Sequence, residues 1–457
     1  MVCFGIGNGS GSKLFQAYLD EHPEIYMVPV CQLMYLYPHW NEWRDEGRIE
    51  WTWPAIVDHF CQKHASLLDS SLIPGHDGMA NLGETQQEHI NIDADRFRAF
   101  LLNLLADEAV SARTFLLAAH YAYAFARGED LSRKKVLVYH LHVHEYVHYV
   151  REDFPDMQVI GFVRDPRSNL RGRFRSNVEV DVEKLNATDA AFRLRRTFLD
   201  HWHFHLDSLE RLRGTPAERI RVVRHEDMHF RLEELMHATA DFLGIAYDPC
   251  MQRITFGGLK WWGASHYGMK PMNKPNPSTV SDKWKQELAP MDWFILEGLG
   301  IRYCKKYSYD LFRYTADTAL NRILLVLALC LPMRHERWII KQYVSPAYIA
   351  KFWHACIDEA WGKVPIKEYR YNAFYRHKWY NQGTGLHVIP WYRHYLIADL
   401  ARGAAAPINR VTYVAMSVLR YIGAIASLPV MIGKRAGLSL EYYRHIRKKD
   451  EILPEVL

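Results

Sequence analysis

The chain has 457 residues, 49% hydrophobic and 24% charged, globular proportions that exclude wholesale disorder and collagen-like repeats and, at this length, suggest about three domains. Lys+Arg number 57 against 52 Asp+Glu, a net charge of only +5, too even for a nucleic-acid coat, so no nucleic-acid partner is expected. Seven cysteines without a C-x-x-C pair argue against a disulfide scaffold or thiolate zinc site and suit a reducing compartment.

Taken in chain order, Val2–Ile6 reads as a first strand. It lacks the basic and long apolar regions of a signal peptide, which points to a cytoplasmic location. A Gly/Ser loop follows, then a helix from about Ser12 to His22 and a mostly helical stretch that includes Ala94–Asp107 and Ala109–Arg127. Lys135–Leu141, Gln158–Val163 and Ile220–Arg224 read as buried strands. Helices are expected at Glu145–Asp153, Ala190–Arg213 and Leu232–Leu243. Strands separated by helices imply an α/β core over residues 1–314, with a parallel sheet flanked by helices.

From about residue 315 the texture changes, and 315–457 reads as a helical, aromatic-rich and basic extension. Ile323–Met333 is apolar but too short to span a bilayer. Val411–Gly433 is long enough, but Pro429 interrupts it and Arg420 near its middle costs at least about 2.5–3.5 kcal/mol. Lys434, Arg435, Arg444, Arg447, Lys448 and Lys449 face only Glu441 among acids. Such an end suits peripheral association with an anionic membrane surface; the alternative is a subdomain packed on the core.

The first loop reads Gly5-Ile6-Gly7-Asn8-Gly9-Ser10-Gly11-Ser12-Lys13. Glycines allow close backbone approach, and exposed N–H groups at a helix N-terminus form an anion cradle. Gly9, Ser10, Gly11, Ser12 and Lys13 are therefore candidate anion-binding residues. The loop matches neither G-x-x-x-x-G-K-[ST] nor G-x-G-x-x-G, and an ordinary strand–helix turn is the alternative. Arg164, at the end of an apolar strand, is suited to bidentate phosphate binding; its alternative is an ion pair with Asp165 or Glu226.

The second long strand ends Tyr139-His140-Leu141-His142-Val143-His144. Residues at i, i+2 and i+4 share one face, here at the carboxyl edge where parallel sheets bind ligands. Three readings stand: a general base, a metal site that no nearby carboxylate pattern completes, and structural histidines. No metal is expected. His201, His203 and His205, with Trp202 and Phe204, read as packing residues on a helix.

Four segments in order carry a resemblance. Ser10-Gly11-Ser12-Lys13-Leu14-Phe15 with His22-Pro23-Glu24 resembles the opening signature of sulfotransferases that use 3′-phosphoadenosine-5′-phosphosulfate (PAPS). Phe154-Pro155-Asp156 with Arg164-Asp165-Pro166-Arg167 is similar to that family's 3′-phosphate motif. Arg224-His225-Glu226-Asp227-Met228 with Phe242-Leu243-Gly244 resembles its R-Y-E-D-L and F-L-G elements. Ser281-Asp282-Lys283-Trp284-Lys285 is similar to the late segment that closes over the nucleotide.

The resemblance covers roughly residues 1–310 and implies a P-loop-like core and transfer of a sulfuryl group from PAPS to an acceptor hydroxyl, on a glycan or glycolipid. It implies His142 as the catalytic histidine, His140 where some members carry lysine, and Arg164, Lys283 and Trp284 as nucleotide contacts. It makes Glu226 and Asp227 structural. Two departures stand out. Gly9 occupies the usual Lys or Arg position, so Lys13 is expected to supply the charge. Gly172 replaces a serine, so Arg171 is expected to bind phosphate. The alternatives are a catalytically inactive nucleotide-binding or membrane-associated scaffold and a phosphate-transferring enzyme.

Overall fold

The computed structural model describes residues 1–4, 10–29, 31–47, 49–73, 77–141, 147–169, 214–263, 274–280, 283–329 and 453–457, with isolated positions at 411, 415, 419, 422, 440, 443 and 444. By its internal contacts the chain divides into two units. One comprises Met1–Arg164, Asp207–Ser281 and Ile452–Leu457; the other comprises Asp165–Leu206 and Asp282–Glu451.

The first unit holds a sheet of five strands: β1 (Val2–Phe4), β2 (Ile25–Met27), β3 (Val136–His140), β4 (Gln158–Val163) and β5 (Ile220–Arg224). Their order is β2-β3-β1-β4-β5, every pair is parallel, and β1 is central. The expected parallel α/β sheet is therefore present, with β3, β4 and β5 at the positions read from their apolar runs. Strand β2 was not anticipated, because three residues after a His-Pro-Glu turn carry too little pattern to identify a strand.

Helices flank the sheet: α1 (Ser12–Leu19), α2 (Leu36–Glu46), α3 (Trp53–Lys63), α4 (Ala94–Leu105), α5 (Ala112–Arg127), α6 (Val147–Asp153) and α7 (Leu232–Leu243). Helix α1 stops three residues earlier than its sequence suggested. Asp93 and Ser111 cap α4 and α5 by accepting from the N–H groups of Arg96 and Thr114, the usual way a short polar side chain satisfies a first turn. The expected helix at 190–213 lies outside the described residues.

Helix α1 packs on the sheet through aromatics. Phe4, Phe15 and Phe162 form an edge-to-face cluster with centroids 5.4–5.6 Å apart, the arrangement favoured by ring quadrupoles. Beyond the sheet, Thr255–Phe256 and Leu259–Lys260 pair as a small antiparallel hairpin. The chain's end returns to this unit: Val222 donates its N–H to Glu455 and accepts from Leu457, so the tail lies parallel along the outer side of β5.

In the second unit, α8 (Pro290–Leu299) packs on α9 (Ala319–Leu329). Leu325 is fully buried, while Leu320, Ile323, Leu324 and Leu327 are exposed. The aromatic–basic stretch 369–395 lies outside the described residues. So does most of 411–433. Among the described residues no helix is long and apolar enough to cross a membrane.

Candidate active site

The carboxyl edge of β1 carries the glycine-containing loop, whose residues 5–9, including Gly9, lie outside the described residues. It re-emerges at buried Ser10 and at Gly11, which has φ +90° and starts α1 by accepting the N–H of Phe15. Gly11 has no side chain to cap the helix, and uncapped first-turn N–H groups with the helix dipole are suited to an anion. The positive φ explains why a glycine stands here.

The loop is backed by the segment after β5. His225 donates its backbone N–H to the carbonyl of Val163, which ties the ends of β4 and β5. The space a Cβ on Gly11 would occupy lies 2.5 Å from His225 Nδ1 and 2.5 Å from Met228 Cε. Burial first, then the charges of Arg164 and His229, hold His225 well below the usual histidine pKa, against a hydrogen bond with the Ser10 backbone. Burial and Arg164 likewise lower His229 to about 4, and its Nδ1 accepts from the N–H of Asn276. Two neutral imidazoles thus accompany Arg164.

Asp165, one of the ion-pair partners anticipated for Arg164, grips Arg167, accepting from Nε at 3.0 Å and from Nη2 at 2.8 Å. Arg167 also donates to buried Glu297 at 2.6 Å and stacks its guanidinium 4.2 Å from the Trp284 ring. Burial opposes its charge, but hydrogen bonding and charge from Asp165 outweigh this and raise its pKa. Glu297 Oε2 accepts three backbone N–H groups, from Phe312, Arg313 and Tyr314. The second arginine of Arg164-Asp165-Pro166-Arg167 is therefore a structural tie inside its unit. Asp227 also has a tying role, accepting from Arg231 at 3.0 Å.

Lys13, expected to supply charge to the loop, is held by Asp77. Its Nζ donates to the Asp77 carbonyl at 3.1 Å, stands 3.5 Å from the Asp77 carboxylate and lies over the Trp261 ring. Asp77 and Trp261 are far from Lys13 in sequence, and no local signal pointed to them.

His140 ends β3 beside Phe4 of β1 and is buried. Its Nδ1 meets Gln16 Oε1 at 2.7 Å and its Nε2 meets Ser12 Oγ at 3.2 Å. Gln16 was not singled out in the sequence. It sits one helical turn beyond Ser12, so both face the same strand. His142 and His144 lie outside the described residues, as does Arg171. Lys283 and Trp284 belong to the second unit; Trp284 is buried and Lys283 exposed. Among the described residues no group of three His, Cys, Asp or Glu side chains is arranged to hold a metal.

The His-Pro-Glu segment is structural. His22 Nδ1 accepts from Glu24 N–H, so its Nε2 donates to the carbonyl of Ala246 at 2.8 Å, fastening the end of α1 to the turn after α7.

No curated protein matches the chain. Among solved structures, the chain is similar to the "Sulfotransferase Domain from the Curacin Biosynthetic Pathway", at 17% identity and a TM-score of 0.40, over 68% of this chain and 98% of that one. It is also similar to the "Sulfotransferase Domain from the Synechococcus PCC 7002 Olefin Synthase", at 15% identity and a TM-score of 0.35, over 68% and 95%. The profile of the sulfotransferase family matches residues 8–249, more than half of the chain, and the protein belongs to that family.

Proposed function

We propose that the protein transfers a sulfuryl group from PAPS to an acceptor hydroxyl, on a glycan or glycolipid. The observation that carries this reading is the shared carboxyl edge of β1 and β4, parallel neighbours that present the α1 N-terminus and Arg164 respectively. An anion cradle beside a guanidinium suits a nucleotide with phosphates at both its 5′ and 3′ positions.

In the transfer, the sulfur–oxygen bond to the phosphate breaks as the acceptor oxygen bonds to sulfur, and charge grows on the bridging oxygen. The N–H groups of the first turn of α1 stabilise that charge without reorganising. The acceptor proton goes to a base, and His142 is our assignment for it. Removing a general base costs typically 10²–10⁴-fold in turnover.

The exposed apolar positions of α9 and the basic run at 434–449 support a second element of the proposal, docking on an anionic membrane surface that presents the acceptor. Replacing Lys434, Arg435, Lys448 and Lys449 by Gln is expected to reduce sedimentation with phosphatidylserine vesicles; unchanged sedimentation removes this element.

The experiment that tests the whole is transfer of labelled sulfate from PAPS to extracted glycans and lipids, run with and without a chelator. Chelator-resistant label in a hydroxyl-bearing product, lost in His142→Ala, is the expected result. Tight binding of adenosine 3′,5′-bisphosphate without any transfer would favour the scaffold reading.

A further inference from the structure

The segments that precede β4 and β5 lie at the opposite edge of the sheet from Gly11 and Arg164, separated by the length of a six-residue strand, roughly 20 Å. Arg151 is in the last turn of α6, ahead of β4, and Gly214-Thr215 stand ahead of β5.

The guanidinium of Arg151 lies so close to the backbone of Gly214 that a Cβ on that residue would collide with Cζ, Nη1 and Nη2. Gly214 is not at a positive φ, so the glycine serves this close approach and not a left-handed turn. Arg151 Nη1 is enclosed. So is the Oγ1 of Thr215, the next residue along, which is only 6% exposed. Among the described residues neither atom has a hydrogen-bond partner. A guanidinium N–H and a hydroxyl shut away from water without acceptors are costly to bury. We infer that Arg151 and Thr215 form a separate anion site, which takes a free tetrahedral oxyanion of the phosphate type.

The acids of the neighbouring turn are engaged elsewhere. Among the described residues no carboxylate pairs with Arg151. Asp153 accepts from Tyr37 Oη at 2.6 Å, and Asp156 pairs with Arg219 at 2.9 Å. Glu152 is exposed and leaves the helix about 100° around from Arg151. Further positive charge stands nearby, since Arg113 lies 5.4 Å from the ring centroid of Phe154, the first residue after α6.

The donor set selects the ligand. The planar fork of a guanidinium matches two oxygens of an oxyanion, and the Thr215 hydroxyl donates to a third. Water would satisfy the hydrogen bonds but leave the charge of Arg151 unanswered. Enclosure of both atoms fits a free ion, not a phosphate headgroup held in a bilayer. Gly214 is exposed, so the ion enters where this residue covers the guanidinium. No bond forms or breaks, and the site owes nothing to the transfer chemistry proposed above.

The test is equilibrium dialysis of the full-length protein against labelled inorganic phosphate, with ionic strength held constant by chloride. Wild type and Arg164→Ala are expected to share one phosphate site. Arg151→Gln is expected to weaken it by at least about tenfold, as loss of a charged fork does. Thr215→Val, the same shape without the hydroxyl, is expected to weaken it a few-fold, and it keeps the inference testable if Arg151→Gln does not fold. In phosphate-free buffer Thr215→Val should not lower Tm, because no partner is lost. Phosphate bound equally by wild type and both variants, or not bound at all, overturns the inference and leaves water on these groups. Arg151-dependent sedimentation with phosphatidic acid vesicles, without binding of free phosphate, overturns the assignment to a free ion.

Discussion

Gly11 and His225 are in direct contact: a side-chain carbon on the glycine would stand 2.5 Å from the imidazole Nδ1. Gly11 also has φ +90°. Gly11→Ala therefore combines a left-handed backbone, about 1–2 kcal/mol, with overpacking of about 1–3 kcal/mol against a buried ring. Gly244→Ala, at φ +67° with nothing within 4 Å, carries only the first cost. A larger fall in Tm for Gly11→Ala, together with weaker binding of adenosine 3′,5′-bisphosphate, is the expected outcome. Equal falls would show that the contact relaxes freely.

The two arginines of the Arg-Asp-Pro-Arg segment separate binding from stability. Arg164→Ala is expected to weaken adenosine 3′,5′-bisphosphate more than adenosine 5′-monophosphate, because only the former carries a 3′ anion. Arg167→Ala leaves Glu297 buried and short of its partner, a loss of about 3–5 kcal/mol, and lowers Tm sharply. Equal weakening of the two nucleotides by Arg164→Ala would make Arg164 structural as well.

Several histidines fold in the neutral state. Burial is the leading cause at each: it lowers His120 and His64 to about 4 and His39 to about 3, with His64 further depressing His39 and Lys63 further depressing His64. The unfolded chain, with these groups near 6.5, binds protons first as pH falls. Stability is therefore full above about pH 6.5 and declines as the pH drops toward 4. Calorimetric Tm values across that range should show the decline, and His120→Gln should flatten it. A slope unchanged by that substitution would place the proton uptake elsewhere.

The tail along β5 closes a sheet edge, since Val222 exchanges two backbone hydrogen bonds with residues 455 and 457. Deleting 453–457 exposes that edge, and bare edges template association. Lower Tm and increased aggregation are expected, measured by calorimetry and light scattering. A monodisperse protein of unchanged Tm would show that the pairing contributes nothing.

The long strands were legible because burial writes a local pattern. Apolar runs at 136–140, 158–163 and 220–224, bounded by turn residues, identify parallel strands without any knowledge of their neighbours. The glycine-containing strand–helix junction was equally legible, since glycines between an apolar run and a helical pattern mark a turn locally. β2 was not, because three residues hold too little periodicity. Gln16 was not either, because a lone polar residue on an amphipathic helix reads as surface.

By itself, the sequence determined an α/β core, a glycine-rich strand–helix junction and an arginine at the next strand's end, all encoded by residues within a few positions of one another. Only the tertiary structure decided which side chains meet. It paired Lys13 with Asp77, 64 positions away, set Asp165 and Glu297 on Arg167, and set Gln16 against His140 across 124 positions. Burial pattern is a local property of the chain. The partner of a charge or a ring nitrogen is chosen by which strands lie side by side, and the order β2-β3-β1-β4-β5 exists only once the sheet has formed.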